Sequence, residues 1–246
     1  MVSLALLTQY SFLITFIGMC AGCLYFILER DSLAPEFRST ASIAACYVGI
    51  AAFNYYIMQK TVGLDGQWVS VMNFQTEFRY IDWLITTPLM LIKFPVLLGA
   101  DKNKPLIAIL VVADIIMILT GYVAETMLNR GGAPMVAWAF YFVSCLAFLG
   151  VAGVLYTVVS NAQQESLGPI SDALSKMKLF IVFGWLIYPL GFAIALLAGG
   201  DTPKVMRELV YNFADLFNKV GFGLVAIFAA KQIAKDRALK DQLSDI

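Results

Sequence analysis

Residues 208–232, ELVYNFADLFNKVGFGLVAIFAAKQ, form a long apolar stretch that carries Lys219 and, four residues before it, Asp215. A charged lysine is costly in hydrocarbon, so it must be paired, neutralised or chemically modified. A spacing of four places both side chains on one face of a helix, where the carboxylate can hold the cationic nitrogen. The stretch therefore predicts a membrane helix, with Lys219 as a candidate functional residue.

The rest of the chain repeats this apolar pattern. Of the 246 residues, 60% are hydrophobic and 14% are charged, which excludes an ordinary soluble domain. A helix needs roughly 20 residues to cross about 30 Å of hydrocarbon. Stretches of about this length recur at 4–28, 41–58, 78–98, 105–124, 134–159, 178–198 and 208–232. The sequence thus predicts an all-α membrane protein with a bundle of seven transmembrane helices, and the short connections predict a single domain over residues 1–246.

Lysine and arginine predict the orientation of the bundle. One side has Arg30, Arg38, Lys102, Lys104, Lys176, Lys178, Lys231, Lys235, Arg237 and Lys240, and the other has Lys60, Arg130, Lys204 and Arg207. By the positive-inside rule the C-terminus is cytoplasmic, and an odd number of spans then places the N-terminus outside.

Composition also excludes several classes of site. Histidine is absent, which rules out imidazole catalysis and histidine-ligated haem. Cys20 and Cys23 form a CxxC pair without further ligands, so we interpret them as packing residues and expect no metal site. No basic stripe interleaved with aromatics predicts nucleic-acid binding. Two glycines in the loop KTVGLDGQW, 60–68, favour a small hairpin.

The third predicted helix carries a second polar pattern, RYIDWLITTPLMLIKF, 79–94. Asp82 and Thr86 share a face, and Lys93 follows eleven residues after Asp82, which corresponds to about 1100° of rotation and about 16 Å of rise. These three side chains form a line that can relay protons, although Lys93 can alternatively snorkel to the surface. Arg79, one turn before Asp82, can counter the charge of the carboxylates.

Two further features lie within the predicted spans. Asp114 in the fourth helix is expected to form a hydrogen bond with a neighbouring helix. Trp83 and Trp185 lie deep in their spans, which favours a flat apolar ligand between aromatic walls.

At these residues the chain resembles the microbial rhodopsins, and among them the proteorhodopsin-like proton pumps, over essentially its whole length. The resemblance is carried by RYIDWLITTPL at 79–89, WLIYP at 185–189 and YNFADLFNK at 211–219. It implies that Lys219 binds all-trans retinal covalently as a Schiff base, with Asp82 and Asp215 as counterions and Asp82 also as the primary proton acceptor. The positions that it implies for the walls of the chromophore pocket are Trp83, Met90, Met117, Trp185, Tyr188 and Pro189.

Two residues depart from the pattern of this family. Lys93 stands where better-known pumps carry a carboxylic acid that donates a proton from the cytoplasmic side. Loss of solvent favours the neutral form of a lysine, so Lys93 can take up a proton and pass it on. Asn54 stands where proteorhodopsins usually place a histidine beside the acceptor carboxylate, so Asp82 lacks an imidazole partner.

The resemblance implies a light-driven outward proton pump, rather than an enzyme, in a prokaryotic plasma membrane. The expected partners are the lipid bilayer, the transported proton and further copies of the chain in a homo-oligomer. One alternative is a slowly cycling photosensor that signals to a partner. Another is a seven-helix receptor or scaffold that binds no retinal.

Overall fold

A computed structural model describes residues 3–97, 104–164 and 168–244. The helices are α1 (Leu4–Glu29), α2 (Arg38–Val62), α3 (Trp68–Met72), α4 (Arg79–Leu97), α5 (Lys104–Asn129), α6 (Pro134–Gln164), α7 (Gly168–Leu179), α8 (Ile187–Ala198), α9 (Asp201–Leu216) and α10 (Phe222–Ser244). Within these ranges the chain forms no β-strand. The all-helical fold class is therefore confirmed.

Seven helical segments of the described chain are long and apolar enough to cross a membrane: Leu4–Ser32, Pro35–Val62, Thr76–Leu97, Lys104–Asn129, Pro134–Asn161, Ser171–Ala198 and Asp201–Asp236. They coincide with the seven predicted spans. Most extend beyond the predicted limits, because helices continue into polar flanking residues that a hydropathy pattern does not count.

The sixth and seventh spans are each interrupted by a π-helical turn, at Phe180–Gly184 and Phe217–Gly221. The two turns contact each other, and the side-chain amide of Asn218 donates to the Gly184 carbonyl at 3.0 Å. Gly184 is required there, since a Cβ at this position would overlap the Asn218 amide. Single π turns occur often at functional sites, and here one of them contains Lys219.

The bundle closes around its polar interior through neighbouring helices. α1 packs against α2 and α9, and α4 packs between α2 and α5. α5 packs against α6, and α8 packs against α9. This arrangement brings α2, α4 and the seventh span together, and the charged groups of the interior come chiefly from α4, α5 and the seventh span.

The expected hairpin at 60–68 is wrong: α2 ends at Val62, and a loop leads into α3. Gly63 and Gly66 adopt φ of 71° and 70°, values that favour glycine. Asp65 organises the loop, because its carboxylate accepts from the Ser70 hydroxyl at 2.6 Å and the Gln67 backbone N–H at 3.0 Å. These hydrogen bonds lower the pKa of Asp65 to about 2. Hydrogen bonds between the Asp65 side chain and nearby residues thus hold this loop, in place of the strand pairing of a hairpin.

Candidate functional site

Lys219 lies at the centre of the bundle with two carboxylates beside its nitrogen. Its Nζ is 2.7 Å from Asp82 Oδ2 on α4 and 3.3 Å from Asp215 Oδ1 one turn earlier in its own span. All three side chains are buried. The predicted pairing with Asp215 is present, and the fold brings Asp82 to the same nitrogen across 137 positions of sequence.

The two carboxylates have different surroundings. Asp215 accepts hydrogen bonds from the Tyr55 hydroxyl at 2.8 Å, the Tyr188 hydroxyl at 2.6 Å and the Trp83 indole at 3.3 Å. Each of these donors stabilises the ionised form of a carboxylate. The site can therefore hold Asp215 as a fixed negative charge.

Asp82 contacts Lys219 through Oδ2, but its Oδ1 is buried without a hydrogen-bond partner among the described residues. Asn54 is buried on α2, and its Nδ2 also has no partner there. Thr86 donates its hydroxyl to the Asp82 backbone carbonyl at 2.9 Å, so it contacts the backbone and not the carboxylate of Asp82. Asp82 is consequently the less restrained of the two carboxylates and is suited to gain and lose a proton.

Arg79 is completely buried, and its role in the structure differs in one respect from the prediction. Its guanidinium lies 2.9 Å from Glu208 Oε2 and 4.0 Å from Asp215 Oδ2, and it donates to the Tyr55 hydroxyl at 2.7 Å. Within the described ranges, the ion pairs of Arg79 involve Asp215 and Glu208, and none involves Asp82. Arg79 therefore counters one of the two predicted carboxylates by direct contact.

A largely apolar cavity extends from Lys219 between α4, α5, α6 and the sixth span. The space between its walls is about 760 Å³, including the part that opens to the surface of the bundle. All six positions expected in the pocket line it: Trp83, Met90, Met117, Trp185, Tyr188 and Pro189. Sequence reasoning did not identify further wall residues from α4, α5, α6 and α8: Tyr80, Thr87, Ile118, Gly121, Tyr141, Ser144, Cys145, Phe148 and Phe192. Their apolar or small side chains resemble those of any membrane helix, so no sequence signal marked them.

Lys93 lies inside the bundle, and its side chain is completely buried. Its Nζ donates to the Tyr47 hydroxyl at 3.4 Å and lies 5.5 Å from the centre of the Phe222 ring. A snorkelling lysine would expose its amine at the end of the span, so the structure contradicts that alternative. The structure therefore places the amine of Lys93 in the interior, beside Tyr47 and Phe222.

Asp114 forms the expected contact with a neighbouring helix. The Thr87 hydroxyl on α4 lies within hydrogen-bond distance of Asp114 Oδ2, at 2.8 Å, and of the Trp83 carbonyl, at 2.7 Å. The predicted hydrogen bond between the helices is confirmed, and it joins α4 to α5.

A second buried polar cluster escaped the sequence analysis. Glu208 pairs with Arg79 and Arg207, and Arg207 pairs with Glu125 at 3.0 Å. The Thr76 hydroxyl donates to Glu208 and accepts from Arg207. Glu208 precedes Asp215 by seven residues, a spacing that places both on one helix face, and this signal could have identified it. The cluster extends the charged interior from Asp215 towards the end of the bundle that contains residues 73–77 and 125–130.

Comparisons with known proteins agree with this architecture. The model of a family described as bacteriorhodopsin-like protein matches residues 6–233. Green-light absorbing proteorhodopsin from Gamma-proteobacterium EBAC31A08 is 30% identical over 221 residues, covering 89% of this chain and 84% of the relative. Blue-light absorbing proteorhodopsin from Gamma-proteobacterium Hot 75m4 is 32% identical over 225 residues, covering 87% and 82%. The crystal structure of Exiguobacterium sibiricum rhodopsin superposes with a TM-score of 0.87 at 49% identity, covering 95% of this chain and 99% of that one.

Proposed function

We propose that this chain, which belongs to the bacteriorhodopsin-like protein family, is a light-driven outward proton pump. It is a multi-pass prokaryotic membrane protein. One observation carries the proposal: Lys219 Nζ lies at the inner end of an aromatic cavity, between two carboxylates with unequal surroundings. The similarity to two proteorhodopsins supports it.

The residues of the cavity fit retinal. Its walls are mostly aromatic and aliphatic, and Trp83 and Trp185 supply flat surfaces for a polyene. Lys219 Nζ faces the cavity, and its ammonium group here stands in for the nitrogen that a covalent bond to all-trans retinal would retain. Retinal bound in this way supplies light absorption and a change of shape. The proton transfers after light absorption are carried out by side chains of the protein.

Asp82 accepts the proton that the Lys219 nitrogen releases after light absorption. The 2.7 Å separation is within the reach needed for direct proton transfer. Asp215 keeps its charge because three hydrogen bonds hold it and Arg79 lies beside it. A fixed negative charge therefore stays beside the Lys219 nitrogen throughout the cycle.

The proton then leaves through the cluster of Arg79, Glu208, Arg207 and Glu125. This cluster connects the level of Asp215 with one end of the bundle through consecutive ion pairs. The asymmetry of lysine and arginine assigns that end to the outside and the C-terminus to the cytoplasm. Release is therefore directed outward.

Lys93 supplies the replacement proton from the cytoplasmic side. It lies on α4 eleven residues beyond Asp82, which corresponds to about 16 Å towards the proposed cytoplasmic end. Its buried amine favours exchange between the neutral and charged forms over a permanent charge. Lys93 takes up a proton from the cytoplasm and donates it to the Lys219 nitrogen.

The chain would act as a single domain within the lipid bilayer, assembled with further copies as a homo-oligomer.

Addition of all-trans retinal to the expressed protein tests the proposal at its first step. A visible absorption band should form in the parent and be absent in Lys219→Ala. Illumination of vesicles that contain the pigment should then move protons across the membrane. No visible band would exclude a retinal protein, and a photocycle without proton movement would favour a photosensor.

A further inference from the structure

Tyr47 connects Lys93 with the backbone of Lys219. Its hydroxyl accepts a hydrogen bond from Lys93 Nζ at 3.4 Å and donates one to the Lys219 carbonyl at 3.1 Å. These contacts join α2, α4 and the seventh span through one oxygen atom. Tyr47 and Lys93 are both fully buried, so water from outside the bundle does not compete directly for these bonds.

The position of Tyr47 along α2 matches the level of these partners. Tyr55, eight residues later on the same helix, donates to Asp215 at the level of the carboxylates. Eight residues correspond to about 12 Å of helix, so Tyr47 lies about two turns away on the side of Lys93. The same helix thus contributes one tyrosine to each side of Lys219.

The surroundings of Tyr47 are shaped to admit its ring. Gly223 has no side chain, and a Cβ there would lie 2.9 Å from the Tyr47 hydroxyl and overlap the Phe26 ring. Lys93 Nζ lies between two rings, 5.1 Å from the centre of Tyr47 and 5.5 Å from that of Phe222. The faces of both rings attract a cation, so they stabilise the amine during the part of the cycle in which it carries a proton.

The Lys219 carbonyl belongs to the π turn Phe217–Gly221. This carbonyl accepts from the Phe222 backbone N–H and, in addition, from the Tyr47 hydroxyl. Tyr47 therefore contacts the main chain of the residue whose side-chain nitrogen must regain a proton. The same hydroxyl is bonded to the amine of Lys93.

We propose that Tyr47 is a positioning residue for reprotonation of the Lys219 nitrogen. Its hydroxyl holds the Lys93 amine close to the backbone of Lys219. This inference rests on the proposed function. Lysine has four rotatable side-chain bonds, and the Tyr47 hydroxyl, itself bonded to the Lys219 carbonyl, restricts where the amine lies. In the transfer, Lys93 Nζ loses the proton that the Lys219 nitrogen gains. The Tyr47 hydroxyl keeps its own proton and goes on donating its hydrogen bond to the Lys219 carbonyl.

Tyr47→Phe tests the proposal because it removes the hydroxyl and keeps the ring. Flash photolysis should show an unchanged visible band and unchanged proton loss from the Lys219 nitrogen, since Asp82 and the cavity are untouched. Reprotonation should slow by about 2- to 12-fold, the range that one hydrogen bond of ordinary strength supports. In the Lys93→Ala background, Tyr47→Phe should cause no further slowing.

The double variant separates positioning from packing. Equal slowing by Tyr47→Phe with and without Lys93 would overturn the inference, because the tyrosine would then act independently of the amine. Normal reprotonation in Tyr47→Phe, in a parent that pumps and is slowed by Lys93→Ala, would overturn the inference alone. A parent without light-driven proton movement would instead refute the proposed function. If Tyr47→Phe formed no pigment, Tyr47→Leu, which also lacks the hydroxyl, would be compared in the same way.

Discussion

Replacement of Asp82 by asparagine removes a negative charge and the proposed proton acceptor while nearly preserving the shape of the side chain. Asp82 Oδ2 is 2.7 Å from Lys219 Nζ, and Asp215 Oδ1 is 3.3 Å away. At an effective dielectric constant of about 20, these separations correspond to about 6 and about 5 kcal/mol of attraction. Asp82→Asn therefore removes slightly more than half of the direct carboxylate attraction on the nitrogen.

Two measurable effects follow in the retinal-loaded protein. A carboxylate beside the nitrogen stabilises positive charge there in the ground state more than in the excited state, where that charge moves away. Loss of Asp82 should thus narrow the energy gap and shift the visible band to the red. Proton transport should fall by at least about 100-fold, because a positioned acid or base contributes factors of about 10² to 10⁴.

Absorption spectra over a pH series and light-induced pH changes in vesicles measure both effects. The parent should also show a red shift on acidification, as Asp82 becomes protonated, and Asp82→Asn should lack this shift. Asp114→Asn is a matched control, since Asp114 is a buried carboxylate that contacts Thr87 and not Lys219. An acid-induced shift that persisted unchanged in Asp82→Asn would refute the assignment of Asp82 as the titrating counterion.

Three further predictions concern other residues of the site. Lys219→Ala should abolish the visible band, because no other lysine of the described chain faces the cavity, and a stable pigment in this variant would overturn the attachment site. Met90 lines the cavity and its thioether forms only weak hydrogen bonds, so we expect green absorption, with Met90→Gln moving the band towards the blue; an unchanged spectrum would remove Met90 from the chromophore contacts. Lys93→Ala should slow reprotonation of the Lys219 nitrogen without slowing its proton loss, and the parent step should itself slow as pH rises and protons become scarce. Equal reprotonation rates in parent and Lys93→Ala at every pH, measured by flash photolysis, would reject the donor role.

Most of the central site could be predicted from local sequence. The pair Asp215 and Lys219 follows from helical spacing, and the position of Asp82 beside it was implied by a motif in another helix. The first prediction depends on regular helical geometry, and the second on the resemblance to the microbial rhodopsins. Lys93 was ambiguous from sequence, because a lysine near the end of a span can snorkel as easily as it can be buried.

The remaining features depend on contacts between distant segments. The π turn around Lys219 packs against the sixth span and leaves no compositional signal. Glu125 and Arg207 lie 82 positions apart and near predicted helix ends, where charged residues are ordinary. Tyr47 resembles any membrane tyrosine until the fold places its hydroxyl between Lys93 and the Lys219 carbonyl.

Light-driven acidification of an unbuffered suspension of retinal-supplied cells tests the central claim most directly. The proposed pump predicts that the medium acidifies on illumination, recovers in the dark, and shows no change when a protonophore is present or when Asp82 is replaced by asparagine. A pigment that absorbs visible light and completes its photocycle without acidifying the medium would contradict outward proton pumping.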